Sequence, residues 1–237
     1  MARAKATAIA AGRFGPALAA FFRELEANND RAWFLANRAR YDADVHAPMA
    51  ALVADLALAF AAHDVPLTGD AKTSMFRINR DVRFGHDKRP YKTNISAVQT
   101  RDGTKRSQGL MYIQAGADEA FAAVGFYGLE PADLTTFRRA VVARRSDWDA
   151  VTAALGAAGL ALSTDDALTR LPRDFDADVV GDLADTIRLR AFIVRLPLDA
   201  AALADADLVD RLLAFAQAGM PLLDFGWAAL GAGAQRG

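Results

Sequence analysis

The residues best equipped for chemistry sit close together, in the stretch from Arg77 to Asn94 that reads RINRDVRFGHDKRPYKTN. Between Lys72 and Arg106 the basic residues are Lys72, Arg77, Arg80, Arg83, Lys88, Arg89, Lys92, Arg101, Lys105 and Arg106, and the acids are Asp81, Asp87 and Asp102. Ten positive charges against three negative leave an excess of seven; with −1 on the whole chain, the remainder carries −8. A net charge near zero hides segregation on this scale. Arginine's planar fork suits bidentate contact with carboxylate or phosphate, and lysine adds a compact, mobile charge. Such a segment can hold an anion.

Two arrangements compete. In the first, Arg77, Arg80, Arg83, Lys88 and Lys92 line a cleft for a phosphorylated or other anionic ligand, which the protein binds or acts on. Asp81 and Asp87 then orient the arginines or exchange protons, and Tyr91 stacks or donates a hydrogen bond. In the second, the two aspartates and the acidic C-terminal region neutralise the arginines in an ion-pair hub of an interaction or scaffold protein, whose partner is another protein. Three acids cannot pair ten bases locally, which tilts the balance toward a ligand or a partner. A weaker third reading is nucleic-acid binding, since Phe84 and Tyr91 interleave with cations as base stacking plus phosphate contact requires. The net charge of −1 argues against a protein that is basic overall.

Elsewhere the chemistry is sparse. The chain has no cysteine, which removes disulfides, thiolate nucleophiles and cysteine-based metal sites and fits a reducing, cytoplasmic setting. His46, His63 and His86 show no metal-ligand spacing. Asp165, Asp166, Asp174, Asp176 and Asp178 cluster without the spacing of a calcium loop and read as a solvated segment. Neither a phosphate-binding G-x-x-x-x-G-K-[ST] loop nor a G-x-S-x-G elbow is present. No metal and no cofactor is expected, and the motifs leave open whether the protein is an enzyme.

The elements that would position these residues follow from periodicity. Leu18, Phe21, Phe22 and Leu25 predict an amphipathic helix over 16–27, with Pro16 near its first turn. Asn29 or Asp30 can cap the next helix, which carries Trp33, Phe34 and Tyr41. Val45, Met49, Leu52, Leu56 and Phe60 mark one face of a third. Residues 74–79, 93–99, 109–115 and 120–127 predict an antiparallel meander, with Asp102-Gly103 favouring a hairpin turn. Helices return over 131–145 and 146–158, where Ser146 and Asp149 resemble a capping box. Residues 188–196 read as a further strand, central in the sheet, and 207–218 as a helix closed by Gly219 and Pro221. Pro48 and Asp55 break the most apolar stretch, so no membrane span is expected.

Helices, then strands, then helices give an α+β fold: a helical N-terminal layer, a central mainly antiparallel sheet, and further helices in the C-terminal half. With 53% hydrophobic residues a single packed domain over 14–230 is expected, 1–13 forming a flexible N-terminus and 231–237 a disordered tail.

The run Arg77-Ile78-Asn79-Arg80-Asp81-Val82-Arg83-Phe84, then Asp87-Lys88 and Pro90-Tyr91-Lys92-Thr93, resembles the hallmark of the bacterial, fungal and plant family catalogued as domain of unknown function 2461. Phe22, Leu25, Asn28-Asn29, Arg31, Trp33-Phe34 and Tyr41 resemble its opening helices. Gly125-Phe126-Tyr127 with Pro131, Leu134 and Arg138 resembles its central strand-to-helix block. The likeness extends from about Phe14 to Phe225. One block departs: Pro172-Arg173-Asp174-Phe175 stands where the family reads Pro-x-Gly-Phe. The resemblance implies a single domain, carries no mechanism, and adds Asn28, Asn29, Arg31 and Trp33 to the positions that bear on a site. Of these, Asn29 and Arg31 join the candidate ligand-binding set.

Overall fold

The computed structural model describes residues 14–81, 83 and 87–234, with the helical backbone alone for 232–234. The expected N-terminal segment 1–13 lies outside the described residues.

The N-terminal layer forms as the apolar spacing requires. Helix α1 (Pro16–Ala27) starts on Pro16 and buries Leu18, Phe21, Phe22 and Leu25. Asn28 stops it, its amide nitrogens returning to the Glu24 carbonyl. The Asp30 side chain accepts from the Trp33 N–H at 2.9 Å and so caps α2 (Arg31–Ala36). Helix α3 (Arg38–Tyr41), a π-helical turn over Asp42–His46 and α4 (Ala47–Ala62) then run on as one rod. By length and composition Arg38–Ala62 could cross a membrane. Here its Val45, Met49, Leu52, Leu56 and Phe60 face lies in the core.

The sheet contains β1 (Asn94–Thr100), β2 (Leu110–Gly116), β3 (Ala120–Phe126) and β4 (Phe192–Pro197), antiparallel throughout in the order β1-β2-β3-β4. Strand alternation divides their side chains between two faces. One face presents Ile95 and Ala97, Met111, Ile113 and Ala115, Ala122 and Val124, and Phe192 and Val194, all buried. α1, α4 and α10 (Leu208–Ala234) cover it. Behind them pack α5 (Pro131–Ala143) and α6 (Arg145–Ala157), through an aromatic cluster in which Phe137 stacks on Phe192 at 4.1 Å and Trp148 meets Phe225 at 5.1 Å. The short helices α7 (Ala177–Val180), α8 (Ala184–Arg188) and α9 (Ala200–Ala204) complete the chain, with a 3-10 turn over Gly181–Leu183 between the first two. The fold is α+β as the pattern predicts, with helices in both halves and the antiparallel sheet between them.

Several expectations need correction. Residues 74–79 are not a strand. They touch the outer edge of β1 only through the Met75–Ala97 bridge, and Thr68–Thr100 makes another. This wrapping shields an edge that would otherwise offer unpaired backbone groups. The Asp102-Gly103 turn exists, with Gly103 at φ 72°, but it lies inside a longer β1–β2 loop rather than in a two-residue hairpin. β4 lies at the other edge of the sheet, not its centre, because no later strand returns to pair beyond it. There the Leu162–Val194 bridge and the Ser163 N–H on the Ile193 carbonyl cover it. Helix α6 begins at Arg145, with no capping bond from Ser146; Asp147 and Asp149 pair with Arg144 and Arg145 instead.

Helix α10 does not stop at Gly219 and Pro221 but runs to Ala234, so the expected tail is helical over 231–234. Leu222, Leu223, Phe225 and Ala229 continue the buried stripe of Leu212, Phe215 and Ala216, and this burial outweighs the hydrogen bond that Pro221 cannot make. A side chain at Gly219 would press into Val124, so the glycine lets the helix lie directly on β3.

Gly125, next to the C-terminal end of β3, has φ 136°, and an added Cβ would run into the Phe192 carbonyl. Gly125→Ala is expected to lose about 1–3 kcal/mol or more in urea denaturation. Gly128→Ala, where an added Cβ meets open space, should cost less than Gly125→Ala.

Candidate functional site

The charged segment is tied into the fold at its base. Asn79 and Tyr91 pair across it, with the Arg80 N–H on the Pro90 carbonyl and the Lys92 N–H on the Ile78 carbonyl, both at 2.8 Å. Asn29 clamps this closure from the helical layer: its side-chain NH2 donates to the Tyr91 carbonyl and its oxygen accepts from the Tyr91 N–H, each at 3.0 Å. The Tyr91 ring is buried and stacks on Phe34 at 4.2 Å, so it is a packing residue rather than a surface to stack a ligand on. Trp33 likewise packs on Phe21, and Arg31 is exposed at the start of α2.

Beyond the clamp, Asp87 receives both Arg80 and Arg89, and Arg89 also reaches Glu26 at 3.7 Å. Asp81 pairs with Arg83 at 2.6 Å. Lys88 is exposed beside them. Hydrogen bonds from Arg89, then Arg80, hold the Asp87 carboxyl well below the usual carboxylate range. Stability from that group is present above the ordinary aspartate pKa and fades as pH falls through the depressed one. All these pairs are substantially exposed, so each fixes loop shape more than it adds stability.

Arg77, Lys92 and Lys105 form a different group. Lys92 and Lys105 place their ammonium groups each 5.5 Å from the centroid of the Phe76 ring, and Lys105 comes from the β1–β2 loop. Among the described residues no carboxylate lies within ion-pair distance of these three. Lys92 is half-buried, and its pKa is pushed down, first by burial and then by Arg77, Arg80 and Lys105. Its positive charge is therefore a cost to the folded state at neutral pH, a cost that disappears as pH rises from the lowered pKa to the ordinary lysine value.

Phe76 and Lys105 form one wall of a cleft of about 610 Å³ over the second face of the sheet. Among the described residues no helix covers that face. Its floor contains the cross-strand row Val98, Tyr112, Ala123 and Arg195, flanked by Gln114 and Phe121 on one side and by Leu110 and Ile193 on the other. The opposite wall is Ser163–Ala167 with Leu189–Ala191, and exposed Tyr127 stands at one end. The Arg195 guanidinium lies 3.9 Å from the Phe121 ring centroid, bonds Glu119 at 2.7 Å and reaches Asp165 at 3.4 Å. Tyr112 donates to Gln114 at 2.9 Å, and burial pushes the Tyr112 hydroxyl pKa up. Buried Arg138 donates to the Leu189 carbonyl at 2.7 Å, fixing the wall from behind; its Nε has no partner among the described residues.

None of the expected ligand-binding residues lines the cleft itself; Lys92, with the charges of Arg77 and Arg80 acting on it, meets the cleft through the Phe76 ring in its wall, and the lining comes from β1, β2, β3, β4 and the loops. The alternation of Tyr112 and Gln114 with Met111 and Ile113 carried a signal of a polar outer face. Nothing in the spacing linked Arg190, Arg195 or Asp165 to it.

The family model described as a conserved hypothetical protein, DUF2461, matches residues 17–225. The chain belongs to this family. In this DUF2461 protein the matched region includes every element of the cleft described above. No curated protein and no solved structure matches the chain.

Asn29→Ala removes both halves of the Tyr91 clamp and should cost about 1–3 kcal/mol in urea denaturation. Asn29→Asp keeps the acceptor and loses the donor, so it should fall between Asn29→Ala and the natural protein.

Proposed function

We propose that this protein binds a phosphorylated or similarly polyanionic small molecule in the cleft on the open sheet face, with Lys92, Lys105 and Arg77 holding the anion. One observation carries the reading. Two ammonium groups, one of them half-buried, converge on one aromatic ring with the Arg77 charge acting on Lys92 beside them, and no carboxylate lies within ion-pair reach among the described residues. Like charges gathered at a cost to stability are explained when an anion completes the site. A cleft of about 610 Å³ also falls within the range of small-ligand pockets. The alternative of an ion-paired interaction module draws on Arg80, Arg83 and Arg89, whose pairing with Asp81, Asp87 and Glu26 accounts for the outer part of the segment. It does not account for Lys92 and Lys105.

Inorganic pyrophosphate, compared with chloride at matched ionic strength, should raise the melting temperature of the natural protein by several degrees near saturation. Lys92→Met should melt no lower than the natural protein in the absence of ligand, because it removes a like charge from a half-buried position. The same variant should bind pyrophosphate at least about tenfold more weakly, since a charge-assisted contact is lost. Arg83→Ala, in the exposed pair, should leave the affinity unchanged. Absence of any pyrophosphate effect, or equal affinity in Lys92→Met, would overturn the reading.

The affinity should also depend on pH with a definite sign. Bound pyrophosphate favours protonated Lys92, so binding weakens as pH rises through the lowered Lys92 pKa. Calorimetry across that range should show proton uptake on binding at its upper end.

A further inference from the structure

The floor of the cleft carries more information than its charge. Ala123 lies between Tyr112 and Arg195 in one cross-strand row, and the small side chain leaves a notch there. Tyr112 flanks the notch on one side and Arg195 on the other, with the Arg195 guanidinium turned over the Phe121 ring. The Phe121 ring lies beside it, 5.7 Å from Tyr112 and beneath Arg195. Flat π systems and guanidinium groups are the surfaces on which a planar heterocycle stacks.

The groups around the notch add direction. Asp166 supplies a carboxylate to the rim beside Glu119 and Asp165, which also pair with Arg195, and Gln114 and Ser163 line the cleft with them. An acceptor-rich rim suits a ring that bears an exocyclic amine. Toward β1, the Tyr112 ring is followed by Phe76 at 6.3 Å, and the Lys92 and Lys105 ammonium groups sit on Phe76. A stacking notch and an anion site are therefore held at opposite ends of one continuous floor, two ring contacts apart. Walls on both sides, from Phe76 and Lys105 to Ser163–Ala167, bound a volume of about 610 Å³, the size of a single small molecule.

From this we infer that the ligand is a mononucleotide: a phosphate ester whose amine-bearing base stacks between Tyr112 and Arg195, while its phosphate rests on Lys92 and Lys105. The inference depends on the anion site proposed above and specifies what else the ligand must carry. Tyr112 and Arg195 then select for the base, and Lys92 and Lys105 contribute equally to any phosphate ester.

Calorimetric titration with AMP and with ribose 5-phosphate separates the two levels. The natural protein should bind AMP at least about tenfold more tightly than ribose 5-phosphate, the scale of one base-stacking contact. Tyr112→Leu should remove that preference while leaving ribose 5-phosphate affinity unchanged, which also shows that the variant is folded. Arg195→Met tests the same notch from its other side, should Tyr112→Leu fail to fold, and is expected to reduce the preference in the same way. Upfield ring-current shifts of the AMP base protons should accompany binding to the natural protein.

Equal affinity for AMP and ribose 5-phosphate would overturn the mononucleotide and leave the anion site standing. Binding of pyrophosphate with neither ester bound would overturn it as well. No binding of any of the three would remove both proposals. Affinity for single-stranded oligonucleotides that climbs with length and falls steeply with salt would replace the mononucleotide with a nucleic acid.

Discussion

Among the described residues, helices pack on only one face of the β1–β4 sheet, and this asymmetry organises everything else in the molecule. The covered face is uniformly apolar, from Ile95 and Ala97 through Met111 and Ile113 to Phe192 and Val194, and it anchors α1, α4 and α10. Because side chains alternate along a strand, each inward residue forces its neighbours onto the other face. There Tyr112, Gln114, Phe121 and Arg195 stand without a covering layer of secondary structure. Loops at both edges rise around this face and turn it into a cleft. The core and the site are thus two sides of the same strands, and the register that buries Ile113 also presents Tyr112.

Charge is sorted by the same framework. The outer loop of the basic segment satisfies itself, with Asp87 between Arg80 and Arg89 and Asp81 beside Arg83. Its base is held rigidly by Asn29 and by the stacked Phe34–Tyr91 pair. Lys92 and Lys105, which meet on Phe76, and Arg77 beside them have no carboxylate within ion-pair distance among the described residues, although the Arg77 charge still acts on Asp81. Trp227 steadies the loop that brings Lys105 there, donating to the Gln108 carbonyl at 2.8 Å and stacking against Arg101 at 4.7 Å.

The fold class, the first helix, the capped start of the second and the three hairpin-linked strands were legible because each rests on local periodicity and capping; the second helix instead ends at Ala36, and Tyr41 joins the rod that follows. The limits of that legibility are equally physical. Residues 74–79 alternate like a strand, yet lie on an edge where two bridges suffice. Pro221 reads as a helix end, yet the buried stripe runs past it. Of the candidate site, the basic segment was visible from composition, and Asn29 came from a family block. Which arginines pair and which cations stay unpaired depends on contacts across the fold: Lys105 arrives from a hairpin loop, Arg195 from an edge strand far along the chain, and Arg138 reaches the Leu189 carbonyl from a helix. No spacing rule encodes such meetings.

The central claim is that Lys92 occupies a half-buried cationic site awaiting an anion, and the protonation of Lys92 itself tests it most directly. A pH titration of the lysine side-chain NMR signals, assigned through Lys92→Met, reads it with and without pyrophosphate. The account predicts that Lys92 titrates below the ordinary lysine pKa in the free protein and shifts upward when pyrophosphate is bound. A Lys92 that titrates as an ordinary surface lysine and ignores pyrophosphate would contradict it.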